Sequence, residues 1–71
     1  MTKLGEFLAR RSISKASVAK KSGIPKQRMN DLTLKDTAKL RADELYLIAL
    51  SIDIDPCELL TALCGDLQLI S

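Results

Sequence analysis

The sequence lacks several features that other classes of protein require. It has no histidine and no tryptophan, and one Tyr and one Phe make up the 3% of its 71 residues that are aromatic. The hydrophobic core is therefore expected to be aliphatic. No apolar run approaches the roughly 18 residues of a membrane span, and no basic start followed by an apolar stretch marks a signal peptide. These absences predict a soluble, cytoplasmic protein.

The absence of histidine also removes the usual general base and a common metal ligand. Cys57 and Cys64 are seven positions apart, which matches no common zinc pattern. We expect both cysteines to be small buried hydrophobes, with a redox-sensitive intersubunit disulfide as the alternative. No phosphate-binding loop and no nucleophile–base spacing occurs. We expect no enzyme activity, no cofactor and no metal site.

Basic residues are absent from the second part of the chain. All 11 Lys and Arg lie in residues 1–41 with three acids, whereas residues 42–71 hold six acids and no base. The first part carries a formal charge of +8 and the second −6, for a total of +2. This polarity predicts one face for a polyanion and another for a different contact. The alternative is that solvated helix surfaces happen to segregate.

Apolar residues recur at helical spacing almost throughout the chain. Thr2 is the expected N-cap of a first helix, and Ser14 that of a second helix over residues 15 to about 21. Gly23 suits the turn that follows, because glycine reaches positive φ without strain. A third helix is predicted from about Pro25 to Leu32.

Residues 33–41 are predicted to form a polar connection with Leu34 and Leu40 as possible anchors. A fourth helix is predicted over residues 42–51, and Asp55 and Pro56 signal the start of a fifth that ends near Gly65. The fold class is therefore all-α, a compact five-helix bundle. We expect one domain over residues 1–64 and an apolar tail over residues 65–71.

The segment from residue 15 to 32 resembles the helix-turn-helix of the lambda-repressor and Cro-like (XRE) family. The matching residues are Val18-Ala19, Ser22-Gly23-Ile24, Met29 and Leu32. The resemblance continues through residues 40–49 and 52–60, so that it covers roughly residues 4 to 64. Two positions depart from the family pattern: Lys15 stands where a Gln is usual, and Thr33-Leu34-Lys35 replaces a Glu-x-Gly stretch.

The resemblance implies double-stranded DNA as the partner, with the third helix in the major groove. Carried over by position, the residues expected to read base edges are Lys26, Gln27, Arg28, Asn30 and Asp31. Asp31 has an alternative, which is to pair with Arg28 or Lys35. The expected phosphate contacts are Arg11, Lys15, Lys35, Thr37 and Lys39. For each base-reading residue the alternative is an exposed polar position on a helix face.

The resemblance also implies a homodimer, since family members commonly bind DNA as symmetric pairs. The expected contacts are Ile54, Leu67, Leu69 and Ile70, although the tail has the alternative of packing on its own core. The resulting hypothesis is a transcriptional regulator, a small repressor of the phage or mobile-element type. The alternatives are an antitoxin that autoregulates its operon while binding a toxin, and a protein-interaction module of the same fold without DNA binding.

Overall fold

The computed structural model describes residues 1–70, which form five α-helices joined by short connections. The helices are α1 (Lys3–Arg10), α2 (Lys15–Ser22), α3 (Lys26–Leu34), α4 (Ala42–Ser51) and α5 (Pro56–Cys64). The all-α, five-helix prediction is confirmed. Ser71, the last residue of the predicted tail, lies outside the described residues.

Three helices begin at the caps that the sequence predicts. The side-chain oxygens of Thr2, Ser14 and Asp55 each accept a hydrogen bond from a backbone N–H two or three residues later, at 2.8 to 3.3 Å. Such bonds satisfy N–H groups that have no partner inside the helix. Gly23 ends α2 with φ at 80°, as predicted, and this left-handed conformation favours glycine.

The third helix differs from its prediction at both ends. Pro25 is the N-cap rather than the first helical residue, and the helix continues two residues beyond Leu32. Within the extension Thr33 is buried, and its hydroxyl donates a 3.0 Å hydrogen bond to the Met29 carbonyl, so its polar group is satisfied. The connection to α4 is therefore shorter than predicted.

The two predicted anchors of that connection have different outcomes. Leu40 packs, partly buried, against the core, as predicted. The prediction for Leu34 is wrong, because its side chain lies at the end of α3 with 51% of its surface exposed.

The core is aliphatic, as expected, and all five helices contribute to it. Its buried members are Leu4, Leu8, Val18, Ala19, Ile24, Met29, Leu32, Ile48, Ala49 and Leu59. Phe7 packs against this cluster only in part.

The packing fixes one end of α3 and leaves the other at the surface. Helix α3 packs against α1 and α2, while α4 packs against α2 and α5. At the C-terminal end of α3, the Thr2 N–H donates to the Thr33 carbonyl at 3.0 Å and the Thr2 hydroxyl donates to the Leu32 carbonyl at 2.7 Å. At the other end, Lys26 and Gln27 are exposed.

Candidate nucleic-acid interface

Helices α2 and α3 form a two-helix unit around a glycine turn. Ile24, which follows Gly23, is buried. Pro25 is the N-cap of α3, with φ at −56°. The N-terminal turns of the two helices border one open groove on the surface. Its lining consists of Lys15, Ala16, Lys26, Met29 and Asn30.

Four of the five predicted base-reading residues lie together at the exposed end and middle of α3. Lys26 and Gln27 are exposed in its first turn, and Asn30 and Asp31 are half-buried one turn later. The Gln27 side-chain amide donates to the Asp31 carboxylate at 3.3 Å. The Lys35 ammonium lies 3.4 Å from the same carboxylate oxygen. The alternative pairing of Asp31 with Lys35 is thus present, and it orders polar groups along one side of α3.

The fifth residue, Arg28, is engaged inside the fold. Its guanidinium donates to the Glu44 carboxylate at 2.9 and 3.0 Å and to the Lys39 carbonyl at 2.7 Å. Hydrogen bonds from Arg28 are the main reason that the pKa of Glu44 falls to about 2, against the opposing effect of burial. Arg28 is therefore not presented at the surface in the way that Lys26 and Gln27 are.

The predicted phosphate contacts occupy three places. Lys15 begins α2 beside the groove, and Lys35, Thr37 and Lys39 are exposed in the connection after α3. Arg11 lies apart from these: its guanidinium is 3.2 Å from the Glu58 carboxylate and sits over the Phe7 ring, 4.4 Å from the ring centre. Four of these five residues thus flank α3, and Arg11 is tied to α5.

The two oppositely charged parts of the chain are joined by ion pairs. Three acids of the second part each lie within 3.2 Å of a basic residue of the first part. The pairs are Lys3–Asp66, Arg11–Glu58 and Arg28–Glu44. The pairing with Lys3 lowers the pKa of Asp66 below its ordinary value. Asp43 makes a longer pair, 3.6 Å from the Arg41 guanidinium. Four of the six acids are thus used within the molecule, whereas the sequence interpretation left the acidic part free for other contacts.

Glu44 is the buried, charged residue beside the candidate site that sequence reasoning missed. It is 4% exposed, and besides Arg28 it accepts a 2.9 Å hydrogen bond from the Arg41 backbone N–H. Glu44 stands three residues after the N-cap of α4, where a glutamate commonly bonds back to the cap. That spacing was a usable signal, but Arg41 is not a residue type that marks an N-cap.

The expectation that the cysteines are buried is wrong. Cys57 and Cys64 are both exposed, because α5 turns Leu59 and Leu63 toward the core and the cysteines lie on other faces of the helix. Among the described residues, no cluster of three or more His, Cys, Asp or Glu side chains has the arrangement of a metal site.

The predicted dimer contacts differ in how available they are. Leu67, Leu69 and Ile70 are 74%, 91% and 106% exposed. Ile54 is instead partly buried against the core of its own chain. The tail through residue 70 does not pack back on the core.

None of the helices described over residues 1–70 has the length and apolarity needed to cross a membrane. No curated protein and no solved structure matches the chain significantly. A family model described as the Cro/C1-type HTH DNA-binding domain matches residues 3–64, a span that contains all five helices. The chain belongs to this Cro/C1-type (XRE) family of helix-turn-helix DNA-binding domains.

Proposed function

We propose that the protein binds specific sequences of double-stranded DNA as a homodimer and regulates transcription as a small repressor. The observation that carries the proposal is the exposed first turn of α3, where Lys26 and Gln27 are exposed and Lys26 borders the same groove as Lys15 of α2. An exposed helix end of this kind enters the major groove while neighbouring cations neutralise phosphates.

The side chains of α3 have the chemistry to distinguish base pairs. Gln27 suits the donor and acceptor of adenine, and Lys26 suits the acceptors of guanine. Asp31 accepts the amino group of cytosine, and Asn30 pairs with adenine. The hydrogen bond between Gln27 and Asp31 supports this role because it restricts both side chains before DNA arrives.

Phosphate contacts are assigned to residues on both sides of α3. Lys15 stands at the start of α2, and Lys35, Thr37 and Lys39 are exposed in the segment that follows α3. Arg11 contributes only if DNA displaces Glu58, whose carboxylate it contacts at 3.2 Å.

The test is selection of binding sites by the full chain from a library of random DNA duplexes. We expect an enriched inverted repeat whose half-site centres lie about 34 Å apart, one helical turn. Gln27→Ala should relax the preference at one or two base pairs, at a cost of about 1–3 kcal/mol each. Binding without any enriched sequence would leave a general polyanion binder, and absence of binding would favour a protein-interaction module.

The tail is the proposed dimer contact. Leu67, Leu69 and Ile70 expose most of their apolar surface, and exposed apolar clusters commonly mark interaction sites. Sedimentation equilibrium should give a dimer for the wild type and a monomer for Leu69→Asp. Leu34→Asp is the matched control, since Leu34 is an exposed leucine outside the tail. A wild-type monomer, or a dimer that survives Leu69→Asp, would remove the tail from the interface.

A reporter assay tests regulation separately. With the selected site placed across a promoter, the wild type should lower reporter expression and Gln27→Ala should do so less. Unchanged or increased expression at saturating protein would argue against repression, and the DNA-binding proposal would still stand on the selection.

A further inference from the structure

The ion pair between Arg28 and Glu44 directly links the first turn of α3 to the first turn of α4. Arg28 Nε lies 2.9 Å from Glu44 Oε2, and Arg28 Nη2 lies 3.0 Å from Oε1, so the two groups meet side by side. The Glu44 side chain is 5% exposed and that of Arg28 is 33% exposed. This two-bond geometry is the arrangement in which arginine binds a carboxylate best.

The same pair holds the backbone between the two helices at two points. Arg28 Nη2 donates to the Lys39 carbonyl at 2.7 Å, and Glu44 Oε1 accepts the Arg41 N–H at 2.9 Å. Helix α3 otherwise packs against α1 and α2, and α4 against α2 and α5. Arg28 and Glu44 thus join α3, the end of its following segment and α4 in one hydrogen-bonded unit.

This unit lies between the two kinds of residue that the proposed function needs. The exposed turn with Lys26 and Gln27 precedes Arg28 in the same helix, while the segment with Lys35, Thr37 and Lys39 is held from the other side. Small changes in the distance between base-reading and phosphate-contacting residues reduce DNA affinity, because contacts to phosphates set the register of the reading helix.

We propose that Arg28 and Glu44 act together as a positioning pair for DNA binding. Arg28 acts through Glu44 and the Lys39 carbonyl, which fix the phosphate-contacting segment relative to the base-reading turn, and it makes no contact with a base. This inference rests on the proposed function and adds to it a buried acidic residue on which DNA affinity depends.

The charge of Glu44 makes the proposal testable, because two explanations predict opposite changes in DNA affinity for the Glu44→Gln variant. Glu44→Gln removes a negative charge from a protein that binds a polyanion, so simple electrostatics predicts tighter binding. The positioning role predicts the opposite: weaker binding, by on the order of tenfold, because the segment is released. The matched control is Asp53→Asn, which makes the same charge change at an exposed residue in the turn after α4 and should bind at least as tightly as the wild type.

The experiment measures the affinity of the purified full chain for its selected duplex and for a random duplex. Circular dichroism and urea unfolding first establish that each variant is folded at the assay temperature. Arg28→Met and Glu44→Gln should weaken binding to both duplexes by similar factors. The double variant should be no weaker than the weaker single variant, since each change breaks the same unit. Repeating the selection with Arg28→Met should return the wild-type sequence preference.

Two results would overturn the inference. One is a Glu44→Gln protein that binds like Asp53→Asn, and the other is loss of preference at one base pair in Arg28→Met. If Glu44→Gln fails to fold, Arg28→Lys replaces it: lysine can still contact guanine but cannot make the two-bond pair. Arg28→Lys should then lose affinity with unchanged preference, and retained affinity would contradict the positioning role.

The wild-type protein separates this inference from the proposed function. A wild type that binds no DNA removes both. A wild type that selects a sequence while Glu44→Gln binds it equally well or better removes the positioning pair alone.

Discussion

Gly5 of α1 lies directly against the backbone of Thr33 at the end of α3. A Cβ atom at Gly5 would overlap the Thr33 carbonyl oxygen, which already accepts a hydrogen bond from the Thr2 N–H at 3.0 Å. Because that oxygen is held, it cannot move aside easily. The crossing of α1 and α3 therefore depends on the absence of a side chain at residue 5.

Gly5→Ala should destabilise the protein by about 1–3 kcal/mol, measured by urea unfolding. Helix propensity alone predicts the reverse, since alanine is favoured over glycine by about 1 kcal/mol inside a helix. Ala9→Gly, at an exposed position of the same helix, calibrates that propensity difference in this chain. An increase in the free energy of unfolding for Gly5→Ala would contradict this prediction, because it would show that α1 and α3 can shift apart at little cost.

Thr2→Ala should cost more stability than Ser14→Ala, although both remove an N-cap. The Thr2 hydroxyl accepts from the Gly5 N–H and also donates to the Leu32 carbonyl, whereas the Ser14 hydroxyl makes one exposed cap bond, to Ser17. We expect a loss of about 2 kcal/mol for Thr2→Ala and about 1 kcal/mol for Ser14→Ala in urea unfolding. Equal losses would mean that the Thr2–Leu32 bond adds nothing net.

The sequence predicted the features of the fold that local signals determine. These features include the helix caps Ser14, Gly23 and Asp55. Each caps a helix through its own backbone or through bonds to residues nearby in the sequence. The face of α5 that packs on the core is harder to predict from the sequence, because leucine or cysteine at several positions fits a helical stripe equally well. Only packing against α4 and α1 decides that Leu59 is buried while Cys57 is exposed.

In the candidate site, too, local sequence signals predict some features and three-dimensional packing decides others. Lys26 and Gln27 are exposed, as their polar side chains at the start of a predicted helix indicate from sequence. The partner of Arg28 is 16 residues away, and nothing in the local pattern distinguishes an arginine that reads a base from one that binds a carboxylate. Only the three-dimensional structure shows that the carboxylate of Glu44 lies within reach of Arg28.

The free energy of unfolding should decrease in acid, because Glu44 takes up a proton when the protein unfolds at low pH. Its pKa is about 2 in the folded protein and about 4.5 ordinarily, so the unfolded chain binds this proton more readily. The contribution of Glu44 is complete above about pH 5 and is lost as the pH falls toward 2, with a total of about 3 kcal/mol.

Urea unfolding at a series of pH values checks this dependence. Glu44→Gln should be less stable than the wild type at pH 7 and should lose less stability between pH 5 and pH 2, because its side chain does not titrate. Parallel pH profiles for the two proteins would show that other carboxylates account for the acid sensitivity.

Lys15→Ala should weaken binding to every DNA sequence by a similar factor, because a phosphate contact carries no base information. Lys15 starts α2 beside the groove, and its loss should reduce the slope of log affinity against log salt by about 0.9. Lys21→Ala, with the same charge change in the last turn of α2, should leave the slope nearly unchanged, since it alters only long-range attraction. Titrations of one duplex at several salt concentrations compare the two variants. Equal slopes for Lys15→Ala and Lys21→Ala would mean that the N-terminus of α2 does not lie against the DNA backbone.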